Sequence, residues 1–257
     1  MAIITFMSDF GHRDAYVAAI KAKFFSLNPS IAVIDISHEI EPYNIAHAAF
    51  VLRSVFKDFP LGTVHLAAVN THSSPDENFL AVKLEGHFFI GADNGVFSLL
   101  SDKTPELIIE LTKGDEYFPS FPEKTMLAAA AIALASGKAI TELGKPITNI
   151  RQMLNRQVRV TKTSITGHVA HIDHYGNLIC TISKEVFEQA RNARPYTISF
   201  AKEHFDSLSE TYKSGEHGDC IVFFNSYQAL EIAICQGNAA ELLGLMLDSP
   251  VTIQFHE

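Results

Sequence analysis

The 257-residue sequence has few cysteines and no excess of basic residues. Its cysteines, Cys180, Cys220 and Cys235, do not have the spacing of a metal site, and an odd, sparse set argues against a disulfide framework. The formal net charge is −9, with acidic and basic residues interspersed, which disfavours binding to nucleic acid or to an anionic membrane surface. We therefore expect a cytoplasmic protein without a nucleic-acid partner.

The chain also lacks segments typical of targeting or membrane insertion. Residues 1–7 are apolar, but they are too short for a signal peptide and lack the basic residues with which one begins. Apolar runs such as 126–135 fall short of the ~20 residues that a membrane span needs. Hydrophobic residues make up 47% of the chain and charged residues 19%, which is enough for a large core and gives no sign of disorder. We expect a soluble protein without membrane contact.

The densest group of polar residues near a predicted strand lies between Met7 and Tyr16. The apolar run 3–6 predicts a buried strand, and 16–25 has helical spacing. Polar side chains at such a strand-to-helix switch are typical of ligand sites in α/β sheets. Asp9 and Asp14 suit a polar or cationic ligand, although a turn and a helix N-cap are their alternative roles.

Strands and helices alternate in the first part of the chain. Apolar and amphipathic patterns predict, in order, a strand at 3–6, a helix at 16–25, a strand at 31–36, a helix at 44–57 and a strand at 63–69. This alternation predicts an α/β domain with a mainly parallel sheet and crossover helices. A hairpin at 79–84 and 87–90 and an alanine-rich helix at 123–136 follow.

The pattern changes near residue 160. Residues 138–164 are polar and weakly patterned, and short apolar runs separated by Gly, Pro and Asn follow from residue 165. This predicts two domains, an N-terminal α/β domain at 1–160 and a smaller all-β domain at 161–257. The second domain contains Asp173-His-Tyr-Gly-Asn177, which taken alone is most typical of a hairpin turn.

Six short motifs are distributed over nearly the whole chain. They are Ser8-Asp9-Phe10-Gly11 with Asp14, Asp35-Ile-Ser-His38, Phe59-Pro-Leu-Gly-Thr-Val64, Ala92-Asp-Asn-Gly95, Asp173-x-Tyr-Gly-Asn177, and Asn225-Ser226 with Leu230-Glu231-Ile232-Ala233. In this order and spacing they resemble the adenosine-forming S-adenosylmethionine hydrolases, which share a fold with the fluorinases and chlorinases. The resemblance implies a homotrimer in which S-adenosylmethionine lies between the N-terminal domain of one subunit and the C-terminal domain of its neighbour.

The resemblance also implies roles for three acidic residues. Asp9 would bind the ribose hydroxyls, and Asp14 and Asp173 would lie near the sugar and methionine portions of the ligand. A carboxylate accepts hydrogen bonds from vicinal hydroxyls and attracts an ammonium or sulfonium charge. The ligand expected is S-adenosylmethionine or adenosine, with no separate cofactor. We expect no metal, because acids around one loop histidine, such as Asp35 and Glu39 around His38, more often hydrogen-bond locally.

Four further residues are expected to bind the ligand. The resemblance implies that Tyr175 and Asn177 contact the adenine side and that Ser226 contacts the methionine end. Tyr212 would offer an aromatic face to the purine.

The sequence departs from this family at the residues thought to orient or activate water. The aspartate expected at the end of the third strand is Asn70, and the expected arginine falls at 77–78, where neither residue is an arginine. The expected histidine falls near Pro122 and Glu123. Asparagine cannot act as a general base. Two functions therefore stay open: hydrolysis by other residues, or a catalytically impaired S-adenosylmethionine- or adenosine-binding sensor or pseudoenzyme.

For hydrolysis, water would attack ribose C5′ and release adenosine and L-methionine. The leaving group is already a sulfonium, so the protein would mainly position and desolvate the water. If their two loops meet, His72 could activate this water and Glu123 could orient it; otherwise both are solvated loop residues. Asn70, His72 and Glu123 are thus the candidate catalytic residues. Halide chemistry, for which Thr71, Ser73 and Ser74 would supply hydroxyls, and action on another nucleoside or sulfonium compound are weaker hypotheses.

Overall fold

Residues 3–72, 78–154 and 157–256 are described by the computed structural model. Contacts divide the chain into two units, Met1–Leu154 and Asn155–Glu257. The domain bounds expected from the sequence, 1–160 and 161–257, stay predictions. In the described ranges, no helix is both long enough and apolar enough to cross a membrane.

A seven-stranded sheet forms the centre of the first unit. Its strands are β1 (Ile3–Ser8), β2 (Ala32–Ser37), β3 (Val64–Ala68), β4 (Phe79–Leu84), β5 (His87–Ala92), β6 (Leu107–Leu111) and β7 (Gly144–Ile147). They lie in the order β2-β1-β3-β5-β4-β6-β7. The pairs β1–β2, β1–β3 and β3–β5 are parallel, and the pairs β4–β5, β4–β6 and β6–β7 are antiparallel. The sheet is therefore mixed and not mainly parallel, because the β4–β5 hairpin reverses the chain direction inside it.

Helices cover both faces of this sheet. They are α1 (Tyr16–Leu27), α2 (Ile45–Val55) and α3 (Ala128–Ala135), with a π-helical turn at Glu123–Leu127 and 3₁₀ turns at Phe56–Asp58, Val96–Leu99 and Ile140–Glu142. Side chains alternate along β1, so Ile4 and Phe6 pack with α1 and α3 while Met7 packs with α2. Because both faces are covered, polar side chains that bind a ligand are left to the ends of the strands.

The second unit is built on an antiparallel sheet of eight strands. They are β8 (Arg159–Val160), β9 (Ser164–Ile172), β10 (Leu178–Ser183), β11 (Tyr196–Phe200), β12 (Glu203–Phe205), β13 (Cys220–Phe224), β14 (Ala229–Ile234) and β15 (Pro250–Phe255). Their order is β12-β11-β15-β9-β10-β14-β13, with β8 beside β9. The domain is not all-β, because two short helices, α4 (Lys184–Arg191) and α5 (Ala239–Leu243), lie between its strands. Each spans only about two turns or fewer, eight residues in α4 and five in α5, so its apolar pattern is too short to distinguish a helix from the surrounding strands and turns.

Candidate active site and ligand pocket

Asp9 follows β1 and joins the loops at the carboxyl ends of the parallel strands. Its Oδ2 accepts hydrogen bonds from the backbone N–H groups of Tyr43, at 3.0 Å, and Asn70, at 3.1 Å. These two residues come after β2 and β3. Among the described residues, nothing donates a hydrogen bond to Oδ1, which leaves this oxygen available to a ligand hydroxyl.

Asp14 lies on the exposed loop between β1 and α1. The sequence placed it at the N-cap of α1, but the N-cap is Ala15, and this helix has no side-chain cap hydrogen bond. The cap role is therefore wrong, because the helix begins one residue later than the position that Asp14 could cap. Its expected contact with the ligand stays a prediction.

Ser8, which precedes Asp9 in the chain, belongs to a Ser-His-Asp group whose serine and histidine are buried and whose aspartate is exposed. Ser8 Oγ is 2.7 Å from His38 Nδ1, and His38 Nε2 is 3.2 Å from Asp35 Oδ1. Ser8 and His38 are at most 1% exposed, so this serine cannot serve as a nucleophile toward an external substrate. Burial lowers the pKa of His38, although Asp35 opposes the shift. The group instead fixes Ser8, the last residue of β1, and with it the start of the loop that carries Asp9.

Glu123 is the deeply buried acid of the first unit, with 1% of its surface exposed. Its Oε1 accepts a hydrogen bond from Thr71 Oγ1 and lies 3.9 Å from His72 Nε2. Its Oε2 has no hydrogen-bond partner among the described residues. Burial raises the pKa of Glu123, even though the Thr71 hydrogen bond opposes the shift. The two loops thus meet, and Glu123 is not the solvated loop residue of the alternative hypothesis, whereas the His72 side chain is about half exposed.

Asn70 stands at the end of β3 in a left-handed backbone conformation, with φ of 47°. Asn94, buried after β5, donates hydrogen bonds from Nδ2 to the carbonyl oxygens of Val69 and Asn70 at 2.8 and 3.1 Å. Its Oδ1 accepts one from the Val96 N–H at 3.2 Å. The turn after β5 therefore holds the ends of β3 and β5 together. Ser73 and Ser74 of the halide hypothesis lie outside the described residues.

A cavity of about 620 Å³ in the second unit brings together four of the predicted ligand residues. Its lining consists of Asp173, Tyr175, Asn177, Tyr212, Ile234, Gln236, Gly237 and Asn238. Ser226 is exposed in the turn after β13 and is not part of this lining. The cavity therefore contains the candidates for the adenine side together with Asp173, which was expected near the sugar and methionine portions, and it leaves out Ser226.

Asp173 builds the hairpin between β9 and β10 in addition to lining the cavity. Its Oδ1 accepts hydrogen bonds from the N–H groups of Tyr175 and Asn177 at 2.9 Å each, and its Oδ2 accepts one from Asn177 Nδ2 at 3.0 Å. Gly176 completes the turn with φ of 83°. The hairpin turn expected for this motif is thus present. A carboxylate offers about four acceptor positions. Three of them are used by these hydrogen bonds, which leaves about one for a ligand.

Glu231 is a candidate site residue that sequence reasoning did not single out. It is 2% exposed in β14, and its carboxylate accepts hydrogen bonds from the Tyr212 hydroxyl and from Asn225 Nδ2, the latter at 2.8 Å. The signal in the sequence was an acid inside the otherwise apolar run 229–234. Such an acid is rarely buried without a partner.

Comparison with known proteins gives consistent matches along the chain. Residues 4–144 match the family model of the SAM hydroxide adenosyltransferase N-terminal domain, and residues 167–252 match that of the C-terminal domain. The chain is 28% identical over 255 residues to an (R)-S-adenosyl-L-methionine hydrolase of Methanocaldococcus jannaschii, covering 95% of this chain and 92% of the relative. It is 25% identical over 277 residues to a fluorinase of Actinopolyspora mzabensis, covering 93% and 92%.

A solved structure has the same fold over nearly its whole length. It is the crystal structure of an uncharacterized conserved protein from Thermotoga maritima, which superimposes with a TM-score of 0.89 at 25% sequence identity. The match covers 98% of this chain and 99% of that one.

Proposed function

Since the chain belongs to the SAM hydroxide adenosyltransferase family, we propose that it hydrolyses S-adenosylmethionine to adenosine and L-methionine. The relatives named (R)-S-adenosyl-L-methionine hydrolase, at 27–28% identity over more than nine tenths of the chain, support this activity. The observation that carries the proposal is the contact of Thr71 and His72 with buried Glu123. This contact supports the proposal because His72 and Glu123 are capable of acid–base chemistry and follow the positions where the sequence departs from the family.

The proposed chemistry is a single displacement at ribose C5′. Oxygen of a water molecule forms a bond to C5′ as the C5′–sulfur bond breaks, and sulfur leaves with the electron pair as the neutral thioether of methionine. His72 accepts the proton that the water loses, and Glu123 orients the water and the imidazole. Asp9 Oδ1 accepts hydrogen bonds from the ribose hydroxyls. Because the leaving group carries a positive charge before the reaction, positioning and desolvation of the water supply most of the rate acceleration.

We further propose that the cavity of the second unit receives the adenine portion of the ligand. Tyr212 offers a half-exposed ring, and Asn177 and Tyr175 provide polar edges. On this proposal the protein is a cytoplasmic homotrimer with its sites between subunits, and the substrate is the only small molecule that it needs. The alternative of an impaired sensor or pseudoenzyme depended on the loss of the family's Asp, Arg and His set. The His72–Glu123 contact supports hydrolysis over this alternative, because it offers acid–base groups in place of that set.

Calorimetric titration with S-adenosylmethionine, followed by chromatography of the mixture for adenosine and methionine, tests the proposal. We expect binding together with both products. The His72→Ala variant should lower kcat by about 100-fold or more, as expected for loss of a general base, while substrate affinity changes little. The His204→Ala variant, which removes an exposed histidine of β12, should keep wild-type kcat. Binding without products would contradict hydrolysis, and absence of binding would contradict the ligand.

A further inference from the structure

The second unit contains a buried carboxylate that the proposed chemistry does not use. Glu231 lies in the centre of β14, paired in register with Phe223 of β13 and with Ile179 of β10. Between apolar neighbours, an ionisable side chain that is 2% exposed is costly unless both of its oxygens are satisfied. The Tyr212 hydroxyl bonds to Oε1 and the Asn225 amide to Oε2, so each oxygen has one donor.

Tyr212 is fixed from several directions although it lies in a segment without regular secondary structure. Its hydroxyl donates to Glu231, and its ring meets the Phe223 ring at 78° with centroids 4.8 Å apart. Its carbonyl oxygen accepts a hydrogen bond from Cys235 Sγ at 3.4 Å. About half of Tyr212 remains exposed, toward the cavity that it lines. Burial and the hydrogen bond to Glu231 both raise the pKa of the phenol, which keeps it a donor over the physiological range.

We infer that Glu231 is a positioning residue for ligand binding, which acts by holding the Tyr212 hydroxyl so that the ring forms a preformed aromatic wall of the cavity. This inference rests on the proposed function, because the wall is matched to a planar purine. A hydrogen bond to a carboxylate is stronger than a neutral one and fixes the direction of the phenol. An aromatic ring that is ordered before the ligand arrives spares the ligand the entropic cost of ordering it.

If Glu231 acts only through Tyr212, its loss should affect ligand binding and leave the chemical step unchanged. The groups proposed to act on the water lie in the first unit, so releasing Tyr212 should weaken affinity and raise KM without lowering kcat at saturating substrate. Asn225 contributes to the same arrangement, since its Oδ1 also accepts hydrogen bonds from the N–H groups of Tyr227 and Ala229 and so fixes the turn before β14. Glu231 itself need not touch the ligand.

A double-mutant cycle on Tyr212→Phe and Glu231→Gln tests the inference, with adenosine as the calorimetric probe and S-adenosylmethionine in steady-state assays. Each single variant should bind adenosine about 5- to 20-fold more weakly, with kcat near that of the wild type, because Phe removes the hydroxyl and Gln exchanges the charged acceptor of that hydrogen bond for a weaker neutral one. In the Tyr212→Phe background, Glu231→Gln should weaken binding no further. A purely structural role of Glu231 would instead give independent, multiplying effects. Tyr227→Phe, which removes the hydroxyl of a similarly exposed tyrosine, is the matched control.

The outcomes distinguish this inference from the proposed function. If the wild type binds adenosine and turns over S-adenosylmethionine while Tyr212→Phe binds like the wild type, the inference alone is overturned. If Glu231→Gln does not fold, Tyr212→Phe still decides, because its ring is half exposed and the substitution removes only an oxygen. If the wild type neither binds adenosine nor converts S-adenosylmethionine, the proposed function and the inference fail together.

Discussion

Glu123 combines two properties that usually exclude one another: its carboxyl group is almost fully buried, and one of its oxygens lacks a hydrogen-bond partner among the described residues. Burial raises its pKa above the ordinary value of 4.5 in the folded protein. The folded state therefore holds the proton more tightly than the unfolded state, and stability is lost as pH rises from 4.5 through the folded-state pKa.

The Glu123→Gln variant should lack this pH-dependent loss. We expect the free energy of unfolding of the variant minus that of the wild type to be larger at pH 8 than at pH 4.5, because the wild type must bury an ionised carboxyl at the higher pH. Urea unfolding at the two pH values measures the difference. An equal difference at both would show that Glu123 titrates normally in the folded protein. Turnover should fall in the same variant, as for other lost acid–base groups.

Asp9 has a structural role and a proposed ligand role that two substitutions can separate. In Asp9→Asn, the side-chain oxygen can still accept from the Tyr43 and Asn70 N–H groups, whereas in Asp9→Ala both donors lose their partner. We expect Asp9→Asn to keep nearly the wild-type melting temperature and to bind S-adenosylmethionine at least about 10-fold more weakly, since one charged hydrogen bond contributes roughly 1.5–3 kcal/mol. Asp9→Ala should lose both stability and affinity. Wild-type affinity in Asp9→Asn would contradict the ribose role.

Residues at strand ends could be predicted from the sequence, and residues brought together from distant segments could not. Asp9 directly follows an apolar strand, which is enough to place it at the carboxyl edge of the sheet. The contact between Glu123 and the Thr71–His72 pair joins segments about fifty residues apart in the chain. The sequence could suggest that these residues act together if their loops meet, but it could not show that the loops do meet. Glu231 was missed because the pattern shows that an acid is buried but not which hydroxyl and amide satisfy it.

At the scale of elements, Gly176 of the β9–β10 hairpin connects the turn to the wall of the cavity. Its φ is +83°, and an added Cβ would lie 2.0 Å from Asn238 Oδ1. Asn238 caps α5 through the Glu241 N–H and lines the cavity. Gly218 has a similar φ of +90°, but an added Cβ there meets no atom within 4 Å. This glycine is therefore a matched control for backbone strain without the clash.

Gly176→Ala should destabilise the second unit more than Gly218→Ala. Backbone strain costs about 1–3 kcal/mol in each, and displacement of Asn238 adds roughly 1 kcal/mol for the lost helix cap in Gly176→Ala. Adenosine affinity should fall in Gly176→Ala and stay unchanged in Gly218→Ala. Thermal unfolding and calorimetric titration of both variants measure the two effects. Equal losses would mean that contact with Asn238 does not limit residue 176.

The positions of strands could be predicted from the sequence where apolar runs were long, whereas the direction of neighbouring strands could not. The predicted strands at 3–6, 31–36 and 63–69 correspond to β1, β2 and β3, and all three are parallel. Alternation of apolar residues is the same for parallel and antiparallel neighbours, so the predicted hairpin was recognised while its position inside the sheet was not. Once β4 lies between β5 and β6, the strands beyond β5 pair antiparallel.

At the scale of the whole molecule, the two units expose polar side chains in different parts of their architecture. In the first unit, helices cover both faces of the sheet, so the polar side chains that follow the strands lie at the strand ends. In the second, the cavity is lined by a hairpin, an irregular segment and the entry to α5. The change near residue 160, from alternating helical and strand patterns to short strand patterns alone, predicted two domains of different architecture, because the apolar residues of helices and strands recur with different periods.

Subunit complementation tests the proposed site between subunits of a trimer. The His72→Ala chain has a defective first unit and an intact second unit, and Tyr212→Ala has the reverse. If each site combines a first unit and a second unit from different chains, randomly mixed trimers should regain about a quarter of the wild-type rate at low S-adenosylmethionine, because that share of sites receives both intact halves. Co-expression and size measurement should give a species of three times the 28.3 kDa chain. If both halves come from the same chain, no mixed site is intact and the rate stays at the level of the single variants.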